Sequence, residues 1–154
     1  LAATGLHLVN DPEDPRYKNA SDVAEGGREK ALNILADFPK LAGLIPYNDE
    51  TMLGTLEALR ETGRLGEMTM VSRNGTPKAV QAIRDGLHHG TWDLDVPAIG
   101  QQIADLVVRA TVGREDLDGL CVASPIGRMI TPERAGRWQP WEQRIPYNEL
   151  RYGV

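Results

Sequence analysis

Apolar positions along the chain switch between two periods. "GLHLVN" (5–10) alternates residue by residue, which predicts a half-buried strand, and it runs into a polar, proline-containing loop, "DPEDPRYKN". Ser21 then stands as the predicted cap of a helix, because Val23, Ala31, Ile34, Leu35 and Phe38 recur at helical spacing until Pro39. "LAGLIP" (41–46) is a continuous apolar run, the pattern of a strand buried on both faces. Asp49 is the predicted cap of the next helix, which carries Met52, Leu53, Leu56 and Leu59 on one face and stops at Gly63.

The same grammar repeats downstream. "EMTMVSR" (67–73) predicts a strand, and "NGTPKAVQAIRDG" (74–86) a turn, a helix with Pro77 in its first turn, and a glycine stop. "TWDLDV" (91–96) alternates as a strand and leads into a helix over 97–113. "LDGLCVAS" (117–124) and "GRMIT" (127–131) read as strands, "PERAGRW" as a short helix, and "QPWEQRIPYNELRYGV" as an aromatic, proline-punctuated tail. Strands alternating with helices predict an α/β fold: a parallel sheet with helices on both faces, in flavodoxin-like layering. Ligands of such sheets bind outside the carboxyl ends of the strands. Asn48, Asn74 and the "TWDLDV" segment all fall at or just beyond predicted strand ends.

Composition narrows the chemistry. The 154 residues suffice for one domain, and 41% hydrophobic with 25% charged residues is ordinary for a globular protein. A net charge of −5 weighs against nucleic acid as a partner, since phosphate contacts need a basic face. No apolar run is long enough to cross a bilayer, no signal peptide is expected within these residues, and a start at Leu1 is expected of a mature or excised piece. Cys121, the only cysteine, sits among apolar neighbours and reads as a small buried hydrophobe. His88 and His89 form a pair after a helix stop with no further ligands at metal spacing, so they read as solvated; no metal or cofactor is expected. The glycines of "EGGREK" (25–30) fall within a helical pattern, which favours close helix packing over a phosphate loop.

The ordered set of motifs resembles the C-terminal half of type I periplasmic sugar-binding proteins, the substrate-binding components of bacterial ABC importers. The likeness rests on "ND" before a helix with an internal Leu53-Gly54, on "GTP" before Ala82, Ile83 and Gly86, on the Thr91 strand closed by Pro97 to Gly100, and on "MITPERA". It covers most of residues 6 to 135. The resemblance implies a binding protein without catalysis, which closes two lobes on a sugar, polyol or sugar acid and presents it to a membrane permease. It implies a periplasmic or cell-surface-anchored location. It matches Asn48 to an asparagine that bonds sugar hydroxyls, and Asn74 to a position usually held by aspartate. Leu94 falls where the family often has a carboxamide, which leaves Asp93 as the substitute; Asp22, with Tyr17 nearby, falls where some members put an aromatic on the sugar.

Length departs from that family. By analogy, residues 1–91 would complete the C-terminal lobe, 92–116 would belong to an absent N-terminal lobe, and 117–154 would supply return strands and the aromatic tail. The expected partner is then the missing lobe or a second chain, unless the half-chain closes on itself as a flavodoxin-like domain. Bland readings stand beside the sharp ones. Asn74-Gly75 is a turn signal in its own right, and Asp22 an early-helix carboxylate favoured by the helix dipole. The ligand-sensing domain of a lactose-repressor-type regulator is the alternative reading. It is disfavoured by "LGEMTMVSRNGTP", which lacks that family's aspartates. An α/β enzyme using Asp93, Asp95 and the histidines is a third reading, but nothing pairs them at a defined spacing.

Overall fold

A computed structural model describes residues 5–18, 21–125 and 127–144. Its elements run α1 (Ala24–Asp37), β1 (Gly43–Leu44), α2 (Asp49–Glu61), β2 (Thr69–Asn74), α3 (Pro77–Arg84), β3 (Gly90–Asp93), α4 (Val96–Thr111), β4 (Met129–Ile130), α5 (Pro132–Ala135) and α6 (Trp141–Arg144). The sheet order is β1-β2-β3-β4, parallel through β3. The α/β layering predicted from the alternation is what the chain builds. The last strand departs from it, since β4 lies antiparallel to β3 with Thr91 opposite Ile130.

The main core is the apolar stripe of α2 closing on the sheet. Met52, Leu56 and Leu59 meet Met68 and Met70, joined by Ala31 and Leu35 of α1 and Leu44 of β1. Helices α1 and α2 touch backbone to backbone. A Cβ on Gly54 would come within 2.6 Å of the Ala24 carbonyl carbon, and one on Gly27 within 2.7 Å of the Thr51 Cα. Close helix packing, the reading taken for "EGGREK", is therefore what those glycines serve. A second cluster joins Val80 and Ile83 of α3 to Ile130 of β4, Ala135 of α5 and Trp138. Helices α2 and α3 end as their glycines predict: Gly63 and Gly86 take φ of 69° and 73°, and Arg64 and Leu87 bond back to Leu59 and Ala82.

Several expectations are corrected. Residues 5–10 form no strand, and Leu6, Leu8 and Val9 lie exposed; the alternation is there, but no strand among the described residues pairs with it. The 41–46 run yields only the two-residue β1, an edge strand, and Ile45 is 73% exposed rather than buried. Residues 117–124 are irregular, and Cys121 is exposed rather than buried. The cap position of α1 is Val23, not Ser21. Helix α4 forms where predicted but buries no residue. Tyr147 and Tyr152 of the tail lie outside the described residues.

Candidate functional site

The carboxyl ends of β1, β2 and β3 form one rim. At β1, Asn48 rather than Asp49 caps α2, because Asp49 is drawn inward. Asn48 Oδ1 accepts the Thr51 N–H at 2.9 Å, and Thr51 Oγ1 accepts the Asn48 N–H at 3.0 Å, a reciprocal capping box. Asn48 Nδ2 donates to Asp22 Oδ1 at 2.9 Å, so the entrance to α1 and the start of α2 are joined. A carboxamide has two N–H donors and two acceptor lone pairs. One of each is used here, and the residue is 7% exposed.

At the next two strand ends Asn74 and Asp93 are register partners, which in a parallel pair puts their backbones about 5 Å apart. The Leu94 N–H donates to the Asn74 carbonyl at 3.3 Å. Asp93 is buried: its Oδ1 accepts the Asp95 N–H at 2.9 Å, and its Oδ2 pairs with Arg144 at 2.6 Å. Gly75 is required beside it, since a Cβ there would come within 2.8 Å of the Asp93 Cα. Tyr17 does not join this group. It stands at the far end of α1, where its hydroxyl donates to Asp37 at 2.7 Å and its ring packs on Phe38. That bond raises the tyrosine pKa above its usual value.

Under the rim lies a buried polar cluster that sequence reasoning missed. Asp49 is fully buried. Its Oδ1 accepts from Ser72 Oγ at 2.5 Å and Thr91 Oγ1 at 2.7 Å, and its Oδ2 from the Thr76 N–H at 2.7 Å. One carboxylate thus ties the start of α2 to β2, β3 and the turn into α3. Ser72 spends its only proton on Asp49, so its oxygen accepts from His88 Nε2 at 2.9 Å, which fixes the Nε2–H tautomer. His88 is 1% exposed and not solvated as expected; only His89 faces solvent, its Nδ1 accepting the Met70 N–H. No spacing in the sequence could reveal this cluster, because its members come together only through strand pairing. Beside the rim, Tyr47 carries the Arg73 guanidinium 4.3 Å from its ring centre, and adjacency to Asn48 and Asn74 was the available signal for that pair.

Burial pushes the His88 pKa down to about 4, against the partial opposition of Asp49. The unfolded chain, with histidine near its ordinary value of about 6.5, therefore binds more protons between those limits. The contribution is fully present above about pH 6.5 and is lost as pH falls toward 4. Urea unfolding at pH 7 and pH 4.5 should show a larger loss in the parent than in His88→Gln, by about 2 kcal/mol. Equal losses would mean that His88 takes up its proton alike in the folded and the unfolded chain.

A family model described as "Periplasmic binding protein domain" matches residues 3–115. The chain is 31% identical over 101 residues to a xylitol-binding protein of Mycolicibacterium smegmatis, a match spanning 58% of this chain and 28% of that protein. It is likewise 31% identical over 97 residues to the ribose import binding protein RbsB of Salmonella typhimurium, covering 58% of this chain and 32% of that one. Among solved structures it is similar to the periplasmic binding component of the arabinose ABC transporter from Shewanella sp. ANA-3, bound to L-arabinofuranose. That match has 26% identity and a TM-score of 0.64, over 79% of this chain and 40% of that one. A Bacillus halodurans ABC transporter solute-binding protein with bound myo-inositol shares the fold at 24% identity and a TM-score of 0.63, over 75% and 39%. The chain spans about a third of the length of the curated relatives it matches.

Proposed function

The chain belongs to the periplasmic binding protein domain family, and from that premise we propose that it forms one lobe of a protein that captures a sugar or polyol and hands it to the permease of a bacterial ABC importer. The observation that carries this reading is that three of the four side-chain-bearing residues with left-handed backbone among the described residues lie at the rim, the fourth being Arg114 beyond α4. Asp22, Asn74 and Asp95 take φ of 52°, 121° and 48°, in the region that side-chain-bearing residues avoid. Each such residue costs about 1–3 kcal/mol, and strain of this kind concentrates where side chains are aimed at a ligand. Asn48, Asn74, Asp22 and Asp93 are the ligand-facing groups in this reading, while Tyr17 is held at the far end of α1. The names of the relatives, xylitol-, ribose- and arabinose-binding, support a hydroxyl-rich solute.

The other jaw comes from elsewhere. Residues 1–91 act as the C-terminal lobe, 92–116 reach toward the second lobe, and 117–154 return from it. Support comes from α4, where Ile103, Val107, Val108 and Val112 are all more than half exposed and nothing is buried. An apolar stripe of that length needs a partner surface. In this reading the protein works outside the cytoplasmic membrane.

The test is calorimetric titration of the two-lobed protein with xylitol, ribose, L-arabinose and myo-inositol. Saturable binding is expected for at least one, weakened by about tenfold or more in Asn48→Ala, since one hydrogen bond to a buried amide is worth about 1.4 kcal/mol. A folded protein silent across that panel would overturn the reading.

A further inference from the structure

Four arginines surround one cavity. It has a volume of about 330 Å³, within the range of small-molecule sites, and it lies beside Asp93 and is walled by β4, α5 and the approach to α6. Arg128, Arg134, Arg137 and Arg144 line it against two carboxylates, Asp93 and Glu133. The protein as a whole carries a net charge of −5, so this is a locally positive hollow in an acidic molecule.

The carboxylates are already engaged. Asp93 is paired with Arg144 at 2.6 Å, and Glu133 accepts the Thr131 hydroxyl at 2.5 Å. Arg134 reaches the Met129 carbonyl at 3.3 Å. The Arg128 and Arg137 guanidiniums have no hydrogen-bond or ion-pair partner among the described residues. Trp138 lines the same hollow with Arg144 5.5 Å from its ring centre, and its indole N–H is buried without an acceptor among the described residues. Like charges crowded into one concavity repel, and a buried donor without an acceptor costs free energy. A single guest relieves both: a compact group that is negative and offers several acceptor oxygens. Guanidinium presents a planar fork of donors that matches such a group in bidentate fashion.

We propose that this cavity binds a small oxyanion, the carboxylate or phosphoryl group of a small polar solute, through Arg128 and Arg137, with Trp138 as its wall and indole donor. The site adjoins the rim through Asp93 but uses none of the rim's hydrogen-bond donors, so anion binding is expected whether or not the rim takes a neutral sugar.

Titration of the full chain with inorganic phosphate, D-glucuronate and D-glucose, read by tryptophan fluorescence and calorimetry, tests it. Phosphate or glucuronate should bind saturably, weaken as sodium chloride is raised, and lose about tenfold or more in affinity in the Arg128→Ala/Arg137→Ala double variant. Phosphate binding tighter than glucuronate assigns the site to phosphoryl groups, and the reverse assigns it to carboxylates. Asn48→Ala should leave anion affinity unchanged, which separates this result from the fate of the rim. Both arginines are exposed, so the double variant should keep the parent's circular dichroism. No saturable binding of either anion, or an affinity unaltered in the double variant, would overturn the proposal.

Discussion

Asp49→Ala should remove a large share of the stability of this protein. The carboxylate accepts three hydrogen bonds from buried or half-buried donors: two hydroxyls, Ser72 and Thr91, and the backbone N–H of Thr76. Alanine removes all three acceptor positions and leaves a void that the strands cannot close. A buried donor left unsatisfied costs about 1–3 kcal/mol. Ser72 can turn to His88 Nε2 once that ring changes tautomer, so it recovers part of its loss. Thr91 and Thr76 have no such recourse. The sum is about 3–6 kcal/mol against a typical total of about 5–15. Asp49→Asn is the discriminating companion. Its oxygen still serves the two hydroxyls, but its NH₂ faces the Thr76 N–H, donor against donor, so about half the loss should remain. Urea unfolding followed by circular dichroism measures both. A loss below about 1 kcal/mol for the alanine variant would show that water or a side-chain shift replaces the carboxylate at little cost.

The same residue marks the limit of what the sequence discloses. Asn and Asp are both good helix caps, so "ND" before an apolar stripe locates the helix start but leaves the cap to either residue. Three donors from two other strands and a turn decide it, pulling Asp49 inside and leaving Asn48 at the mouth. Local rules read well where local physics governs. The stripe of α2, Pro77 at the start of α3 and the glycine stops at 63 and 86 depend only on neighbours a few residues away. Strand predictions failed where pairing was needed. Alternation at 5–10 says which side of a strand would be buried, but a strand exists only if another lies beside it, and none among the described residues does. The exposed stripe of α4 is the same lesson in helical form. Ile103, Val107 and Val108 recur at helical spacing, yet the helix buries none of its residues. The arginine hollow escaped notice because Arg128, Arg134, Arg137 and Arg144 are spread over 17 positions and converge only when α5 and α6 fold back toward β3.

Gly54→Ala sets two effects of opposite sign against each other. Alanine is the better helix former, and in an open helix interior the exchange gains about 1 kcal/mol. Gly100 in α4 provides that reference: a Cβ there meets nothing within 4 Å, so Gly100→Ala should be neutral to stabilising. At Gly54 the new methyl would sit 2.6 Å from the Ala24 carbonyl carbon and 2.7 Å from the Arg28 nitrogen. These are backbone atoms, which no rotamer change can move aside. Helix α1 must retreat from α2 by about an ångström or more, opening the layer of Ala31, Leu35 and Leu56. Overpacking of this kind costs about 1–3 kcal/mol, which exceeds the propensity gain at its upper end. Because backbone atoms cannot yield, the upper end applies: net destabilisation of up to about 2 kcal/mol is expected for Gly54→Ala, and a larger loss for Gly54→Val. The displacement also reaches the rim, because the Asp22–Asn48 hydrogen bond spans the same pair of helices at their amino ends. Under the proposed function, Gly54→Ala should therefore weaken solute binding in the fraction that stays folded, while Gly100→Ala leaves stability and rim intact. Gly54→Ala as stable as the parent would mean that the two helices slide without penalty, and the contact that joins Asp22 to Asn48 would then not depend on their close approach.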